Sequence, residues 1–303
     1  MRAVLLGTAA GGGFPQWNCA CRLCASARRG SPGVPARGQD GLAVSADDHN
    51  WYLLNASPDL PAQLAATPAL APGPGLRDTP VRGVLLTDAE LDHTLGLMLL
   101  RGAPDLRVYA PEPVIDALSE AFPVRGLLDS YAEWSWQPVR AGEPLTVHGL
   151  VVTAYPVSGK RPRYAASAAA GDDWVVAYRI EDPATGRVLV YAPCLASWPD
   201  TFDELTAGAD AVLLDGTFFT AGELAEQAGR PAPPGAGATT PMGHLPITGP
   251  GGSLDRIRER TGVRWIYTHL NNTNPLLDAG SPHRQALAEA GAQVLDDGTE
   301  LRI

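Results

Sequence analysis

The chain has 303 residues, of which 45% are hydrophobic, so it is long enough to bury a large core. The formal net charge of −10 disfavours nucleic acid as a partner, because phosphate binding requires clustered Lys and Arg. No stretch approaches the roughly 20 apolar residues that cross a bilayer, and the Gly-rich start is unlike a signal peptide. We therefore expect a cytoplasmic protein without membrane contact, folded as a single domain over residues 1–303, with a small peptide-derived substrate.

Short apolar runs bounded by Gly, Pro and polar residues predict strands along the whole chain. In chain order they lie at residues 2–7, 42–46, 51–55, 81–87, 106–109, 150–157, 175–180, 187–191, 211–214, 264–267 and 293–303. Helical spacing lies between them, at residues 59–66, 96–101, 113–122, 203–207, 253–261 and 283–290. Hairpins early and late, with strand and helix units between, predict an α/β fold of two mixed sheets flanked by helices.

The segment at residues 220–240 contains Pro231, Pro233, Pro234 and Gly235 and predicts a lid or loop rather than a domain linker.

Three cysteines lie within six residues, at Cys19, Cys21 and Cys24, which is too close for an ordinary set of disulfides. In a reducing compartment such clustering is typical of metal ligation. A tetrahedral Zn(II) needs a fourth ligand from elsewhere in the chain, and a closed, sulfur-rich site would be structural. The alternative is three free cysteines in the core.

The predicted strand at residues 81–87 ends at four potential oxygen or nitrogen ligands, Asp88, Glu90, Asp92 and His93. Their close spacing just past an apolar strand predicts a metal site. In the alternative interpretation, Asp92 caps a helix and His93 is merely a buried side chain.

A basic loop contains Lys160, Arg161 and Arg163. It is a candidate clamp for substrate carboxylates, with a solvated loop as the alternative.

The segment from Thr87 to Thr94 resembles the metal-binding motif of the metallo-β-lactamase superfamily, His-x-His-x-Asp-His. Asp88 and Glu90 stand where the superfamily has the two histidines of its first metal site. Asp92 and His93 match the second site. The resemblance implies an αββα sandwich with its metal at the strand ends.

Further landmarks of the superfamily follow in the expected order. The segment at residues 267–269 resembles the last histidine ligand, and Cys194 lies where many relatives have a metal-bridging aspartate. The resemblance implies one catalytic metal, held by Asp92, His93 and His269. Two imidazoles and one carboxylate leave open positions that suit Fe(II) and O2, although Zn(II) would accept the same ligands plus a water.

Asp215 and His244 form a second predicted pair. Their segments are similar to those that orient a proton-donating imidazole in the transfer-RNA-processing phosphodiesterases of the superfamily, so we expect general acid–base catalysis from them. The alternative is that Asp215 caps a turn and His244 lies on the surface. Those relatives have a histidine where this chain has Asn272, the first candidate for the fourth Zn(II) ligand, followed by Cys194 and His283.

Segments at residues 7–19, 54–59 and 269–275 resemble a narrower family that acts in pyrroloquinoline quinone (PQQ) biosynthesis, and the likeness runs essentially end to end. It implies an iron- and O2-dependent hydroxylase of the tyrosine ring in a cross-linked Glu-Tyr intermediate cut from a precursor peptide. Fe(II) would lie at the catalytic site and Zn(II) at the cysteines, and the basic loop would hold substrate carboxylates. The alternatives are a zinc-dependent hydrolase such as a phosphodiesterase, and a non-catalytic carrier of PQQ or its precursor. The oligomeric state stays open, a homo-oligomer included.

Overall fold

The computed structural model describes residues 1–227 and 242–303, and within them fourteen strands form two sheets. The strands are β1 (Arg2–Gly7), β2 (Gly41–Ser45), β3 (Trp51–Leu54), β4 (Val81–Leu85), β5 (Arg107–Pro111), β6 (Ser135–Val139), β7 (Pro144–Val147), β8 (Leu150–Ser158), β9 (Val175–Asp182), β10 (Arg187–Ala192), β11 (Ala211–Asp215), β12 (Arg264–Thr268), β13 (Ala292–Gln293) and β14 (Glu300–Arg302).

The two sheets divide the chain almost in half. The first has the strand order β14-β1-β2-β3-β4-β5-β6, and the second has the order β13-β12-β11-β10-β9-β8-β7. Each sheet is mixed, because β3 to β6 and β10 to β13 pair in parallel while their other neighbours pair antiparallel. The carboxyl ends of β10, β11 and β12 therefore lie at one edge of the second sheet.

Helices cover the outer faces of the sheets. Those in the described ranges are α1 (Arg22–Arg28), α2 (Leu60–Ala66), α3 (Leu91–Thr94), α4 (Glu112–Ser119), α5 (Val124–Leu128), α6 (Thr201–Thr206), α7 (Glu223–Gln227), α8 (Ser253–Ile257) and α9 (Pro282–Glu289). Short 3-10 turns lie at Pro68–Leu70, Leu95–Leu100, Arg163–Ala165 and Pro275–Leu277. None of the described helices is long and apolar enough to span a membrane.

Apolar side chains on both faces of each sheet are buried, which explains the nearly continuous hydrophobic runs in the strands. Alternate residues such as Leu54 and Leu189 pack in the cluster between the two sheets. Their neighbours, such as Leu53 and Val190, pack outward in a second cluster with helix residues that include Phe202. The predicted sandwich of two mixed sheets with helices outside is thus confirmed.

Several predicted boundaries were wrong. The expected strand at residues 293–303 is two short strands in different sheets, because β13 pairs with β12 and β14 pairs with β1. The helix expected at residues 96–101 is a 3-10 turn preceded by α3, and the helix expected at 253–261 is shorter, since α8 ends at Ile257. The predicted lid at residues 220–240 is described only as far as α7. Its Pro231, Pro233, Pro234 and Gly235 lie outside the described residues.

Candidate metal centre

A cavity of about 560 Å³ opens where the ends of strands from both sheets meet. The predicted site residues that line it are Asp92, His93, Lys160, Arg161, Arg163, His244 and His269. The structure therefore brings the predicted ligands, the predicted acid–base histidine and the basic loop to one place, and it adds Asp88, Glu90, Cys194 and Thr217 to the walls.

The three predicted ligands face one another between the two sheets, because Asp92 and His93 follow β4 of the first sheet and His269 follows β12 of the second. His269 Nε2 lies 3.3 Å from Asp92 Oδ2, and His93 Nε2 lies 3.9 Å from the same oxygen. The two imidazole rings have centroids 5.3 Å apart. A Cβ atom at Gly11 would lie 3.0 Å from Asp92 Oδ2, so a side chain there would crowd the carboxylate.

The Nε2 atom of His93 is buried without a hydrogen-bond partner among the described residues. The side chain of His93 is 1% exposed. A buried polar atom without a partner is costly, and a cation within reach of Asp92 and His269 would satisfy it. The donor set of imidazoles and a carboxylate therefore fits a divalent transition metal.

Asp88 supports His93 from behind. Its two carboxylate oxygens lie 2.9 and 2.8 Å from His93 Nδ1, and they also accept hydrogen bonds from the Glu90 backbone N–H and the Thr87 hydroxyl. Burial alone would lower the pKa of His93, but the Asp88 carboxylate raises it to about 10 in the metal-free site. Asp88 thus directs Nε2 to the cavity, as carboxylates beside metal-bound histidines do.

Glu90, at the other position where the superfamily has a histidine, faces a different partner. Its Oε1 atom lies 3.0 Å from Lys160 Nζ. The remaining members of the basic loop differ in their surroundings, since Arg161 donates a hydrogen bond to the Ala168 carbonyl and Arg163 is exposed. Lys160 is therefore the basic residue most directly tied to the wall of the cavity.

Asp215 and His244 are in direct contact, as the sequence predicted. The distance from His244 Nδ1 to Asp215 Oδ2 is 2.7 Å, and His244 is 6% exposed, which contradicts the alternative of a surface histidine. Burial alone would raise the pKa of Asp215, but the neighbouring His244 holds it below its ordinary value. The pair has the geometry by which a carboxylate fixes an imidazole tautomer.

Thr217, which was not among the residues predicted from the sequence, connects this pair to His269. The Thr217 hydroxyl donates to Asp215 Oδ1 at 2.7 Å, so it accepts from His269 Nδ1 at 2.8 Å. His269 follows β12 with φ at 56°, a conformation that is uncommon outside glycine. A single buried carboxylate thus anchors both imidazoles, and the only sequence signal was a threonine two residues after Asp215.

Cys194, on the loop after β10, belongs to the same cavity. One ligand atom each from His93, Cys194 and His269 lies within 4.8 Å of the others. Burial raises the pKa of the Cys194 thiol well above its ordinary value in the metal-free protein. Its place here rules out Cys194 as a ligand at the cysteine cluster.

The cysteine cluster lies at the start of α1, and its sulfur atoms are within 4.8 Å of one another. Asn272 Nδ2 lies 3.1 Å from Cys19 Sγ and 3.5 Å from Cys24 Sγ, so the predicted fourth ligand is in contact with the cluster. None of the four cysteines, all of which lie in the described ranges, forms a disulfide. The arrangement fits a site for a thiophilic ion, since rotating the Asn272 amide would present its oxygen. The other suggested ligand, His283, packs its ring against Phe219.

Two facing mixed sheets with ligands at the strand ends define a metal-binding αββα sandwich. The family model "Beta-lactamase superfamily domain" matches residues 50–270, so the fold and the site place the chain in that superfamily. Coenzyme PQQ synthesis protein B of Methylobacterium nodulans is 41% identical over 311 residues, covering 100% of both chains, and that of Nitrosococcus oceani is 39% identical, covering 98% of each. The chain belongs to the coenzyme PQQ synthesis protein B (PqqB) family.

Solved structures agree with this assignment. The crystal structure of Zn(2+)-bound PqqB from Methylobacterium extorquens superposes with a TM-score of 0.89 at 36% identity, covering 100% of both chains. Human tRNase Z, short form, has a TM-score of 0.59 at 15% identity, covering 100% of this chain and 99% of that one, and shares the fold alone. Both resemblances that the sequence indicated, to the superfamily and to the narrower family, are confirmed.

Proposed function

We propose that this protein is an iron- and O2-dependent hydroxylase that acts on the tyrosine ring of a cross-linked Glu-Tyr precursor of PQQ. The observation that carries the proposal is the donor set of a single metal, Asp92, His93 and His269. Asp88 and Glu90 face His93 and Lys160 instead of forming a second metal site. A carboxylate and two imidazoles are the donors that non-haem Fe(II) oxygenases use, with positions left open.

Fe(II) bound by these three residues would supply the activation of O2. Asp88 and Thr217 would each fix an imidazole with its Nδ1 proton turned away from the cavity. Both Nε2 atoms would then stay available for coordination. The residues around the ligands thus maintain the tautomers that a metal requires.

Basic side chains would bind the carboxylates of the substrate, and the pair of His244 and Asp215 would transfer protons. Lys160, with Arg163 at the rim, would bind the substrate carboxylates, because both side chains line the cavity and hydrogen bonds between a cation and a carboxylate are short and strong. His244, oriented by Asp215, would accept the phenol proton and return it to the oxygenated product. One hydroxylation takes up one O2, two electrons from an external two-electron reductant and two protons, and it yields one ring hydroxyl and one water.

We further propose that the cysteine cluster holds a structural Zn(II) with Asn272 as its fourth ligand. Three thiolates and one amide oxygen would form a closed shell without a position for substrate. This metal would stabilise the fold without taking part in the reaction.

The test is reconstitution of metal-free protein, under anaerobic conditions, with Fe(II) or with Zn(II). Cross-linked Glu-Tyr peptide, a reductant and isotopically heavy O2 are then added, and the product is analysed by mass spectrometry. We expect a heavy oxygen atom in the tyrosine ring with Fe(II), no product with Zn(II), and no product from His93→Ala. His49→Ala, which removes an exposed imidazole in the turn between β2 and β3, is the matched control and should retain activity.

Two results would overturn the proposal. Turnover with Zn(II) that incorporates oxygen from water would identify a hydrolase of the same fold. Undiminished iron-dependent oxygen consumption by His93→Ala would remove the assigned centre from the reaction.

A further inference from the structure

We propose that Cys194 supplies a thiolate ligand to the catalytic metal, alongside His93 and His269. By its position in the sequence, Cys194 stands where many relatives have a metal-bridging aspartate. The structure indicates that a thiolate replaces the carboxylate as a ligand, because the Cys194 sulfur lies within reach of a metal held by His93 and His269.

The distances allow this without rebuilding the site. Ligand atoms of His93, Cys194 and His269 already lie within 4.8 Å of one another. Metal–sulfur and metal–nitrogen bonds of about 2.3 and 2.0–2.1 Å in a tetrahedral ion place such atoms roughly 3.5 Å apart. Side-chain movements of about an ångström, small against the reach of a rotamer, would close the shell.

The backbone next to Cys194 is held in place. The Leu195 N–H donates to Asp215 Oδ2 at 2.7 Å, and the Leu195 carbonyl accepts from the Leu245 N–H at 2.5 Å. Asp215 thus orients His244 directly, His269 through Thr217, and the loop that carries Cys194. The thiol is therefore positioned by the same carboxylate as the imidazoles.

A second observation points to a ligand at this place. His93 is almost fully buried, its Nδ1 is bonded to Asp88, and its Nε2 has no partner among the described residues. A cation between His93 and Cys194 would give that nitrogen a partner and would stabilise the thiolate. A lone cysteine facing apolar residues would offer no such arrangement.

The added ligand changes the charge and the coordination of the centre. With neutral imidazoles, the carboxylate of Asp92 and the thiolate of Cys194 balance the two positive charges of a divalent ion. Four protein ligands complete the tetrahedral shell of Zn(II), whereas an octahedral Fe(II) keeps two positions for exogenous ligands. The inference concerns metal binding and holds whichever reaction the centre supports.

The experiment is cadmium NMR with the spin-active isotope, because the resonance moves downfield with each thiolate ligand and requires no turnover. Wild-type protein should give one far-downfield resonance from the cysteine cluster and another, less downfield, from the centre. Cys194→Ala and Cys194→Ser should move the centre resonance upfield and leave the cluster resonance unchanged, which also shows that the variants are folded. Cys24→Ser is the matched control and should move only the cluster resonance.

Two outcomes would overturn the inference. One would leave the metal centre in place without a thiolate, and the other would remove the metal centre itself. A resonance that His93→Ala removes but that both Cys194 variants leave unshifted would show a metal centre without a thiolate. If no resonance responds to His93→Ala, the assigned metal centre is itself wrong, and the thiolate assignment falls with it.

Discussion

Replacing Asp88 with Asn tests how much of the metal affinity comes from a residue that does not itself bind the metal. The carboxylate contacts His93 Nδ1 through both oxygens, at 2.9 and 2.8 Å, and both side chains are nearly inaccessible to solvent. Loss of a buried charge-assisted hydrogen bond costs about 1.5–3 kcal/mol. Loss of a carboxylate behind a metal-bound histidine weakens metal binding about 10–100-fold, or roughly 1.4–2.7 kcal/mol. The first figure concerns the stability of the fold and the second the metal affinity, so we expect the affinity to weaken about 10–100-fold.

The affinity is measured by competition with a chelator, with Zn(II) and, under anaerobic conditions, with Fe(II). Glu90→Gln is the matched control, because Glu90 also stands at a superfamily histidine position but pairs with Lys160. It should leave the metal affinity near that of the wild type. An unchanged affinity in Asp88→Asn, or an equal loss in Glu90→Gln, would refute the division of roles between these two carboxylates.

Three other predictions follow from the same geometry. Cys24→Ala should abolish metal binding at the cluster and lower the free energy of unfolding, measured with denaturant, by roughly 4 kcal/mol or more. Iron at the centre should be retained, and its loss would contradict a purely structural role for the cluster. Lys160→Met should raise KM for the cross-linked peptide about tenfold with kcat nearly unchanged, and an unchanged KM would remove Lys160 from substrate binding. The pKa of His93 is raised to about 10 from an ordinary value of about 6.5, so in metal-free protein the contribution of this histidine to stability should be complete below the lower value and should be lost as the pH rises through the higher one. Thermal unfolding across this range checks the shift, and His93→Gln should flatten the profile.

The sequence predicted the strands that are buried on both faces, because burial leaves an uninterrupted apolar run. β1 and β11 are examples, and each matches its predicted position to within a residue. The elements in the described ranges that escaped prediction include α1, α5, β6 and β7. β6 alternates weakly, carries Pro138 and is largely exposed at the sheet edge, so its pairing with β5 rather than its own composition makes it a strand.

The C-terminal segment shows a different limit of sequence reasoning. Residues 293–303 have the composition of a strand, but the turn at Asp296 to Gly298 sends the chain from one sheet to the other. The Asp297 carboxylate accepts hydrogen bonds from Thr8 and from the Gly38 N–H, contacts that span more than 250 residues. Such long-range partners leave no local pattern to read.

Residue type and order in the sequence predicted which side chains line the site, but not the individual hydrogen-bond and ion-pair partners of each one. His244 could be paired with Asp215 because each lies in a recognisable segment. The partners of Asp88 and Glu90 depend on side-chain direction, which adjacency in the motif does not specify. Thr217 escaped notice for the same reason, since a hydroxyl becomes informative only when the groups on both sides of it are known.

The two candidate metal sites differ in how much of the chain must be in place before they exist. The three thiols lie within one short stretch, whereas Asp92 and His269 are 177 positions apart and belong to different halves of the sandwich. Contacts of such separation form late, because the entropy of closing the intervening chain is lost before the contact repays it. We therefore expect the three thiols to begin binding their ion while the chain is still assembling, with Asn272 completing the shell once the chain has folded. The histidines should bind their ion only in the folded protein. The order of folding would then help to sort two metals between two sites, in addition to the preferences of the ligands themselves.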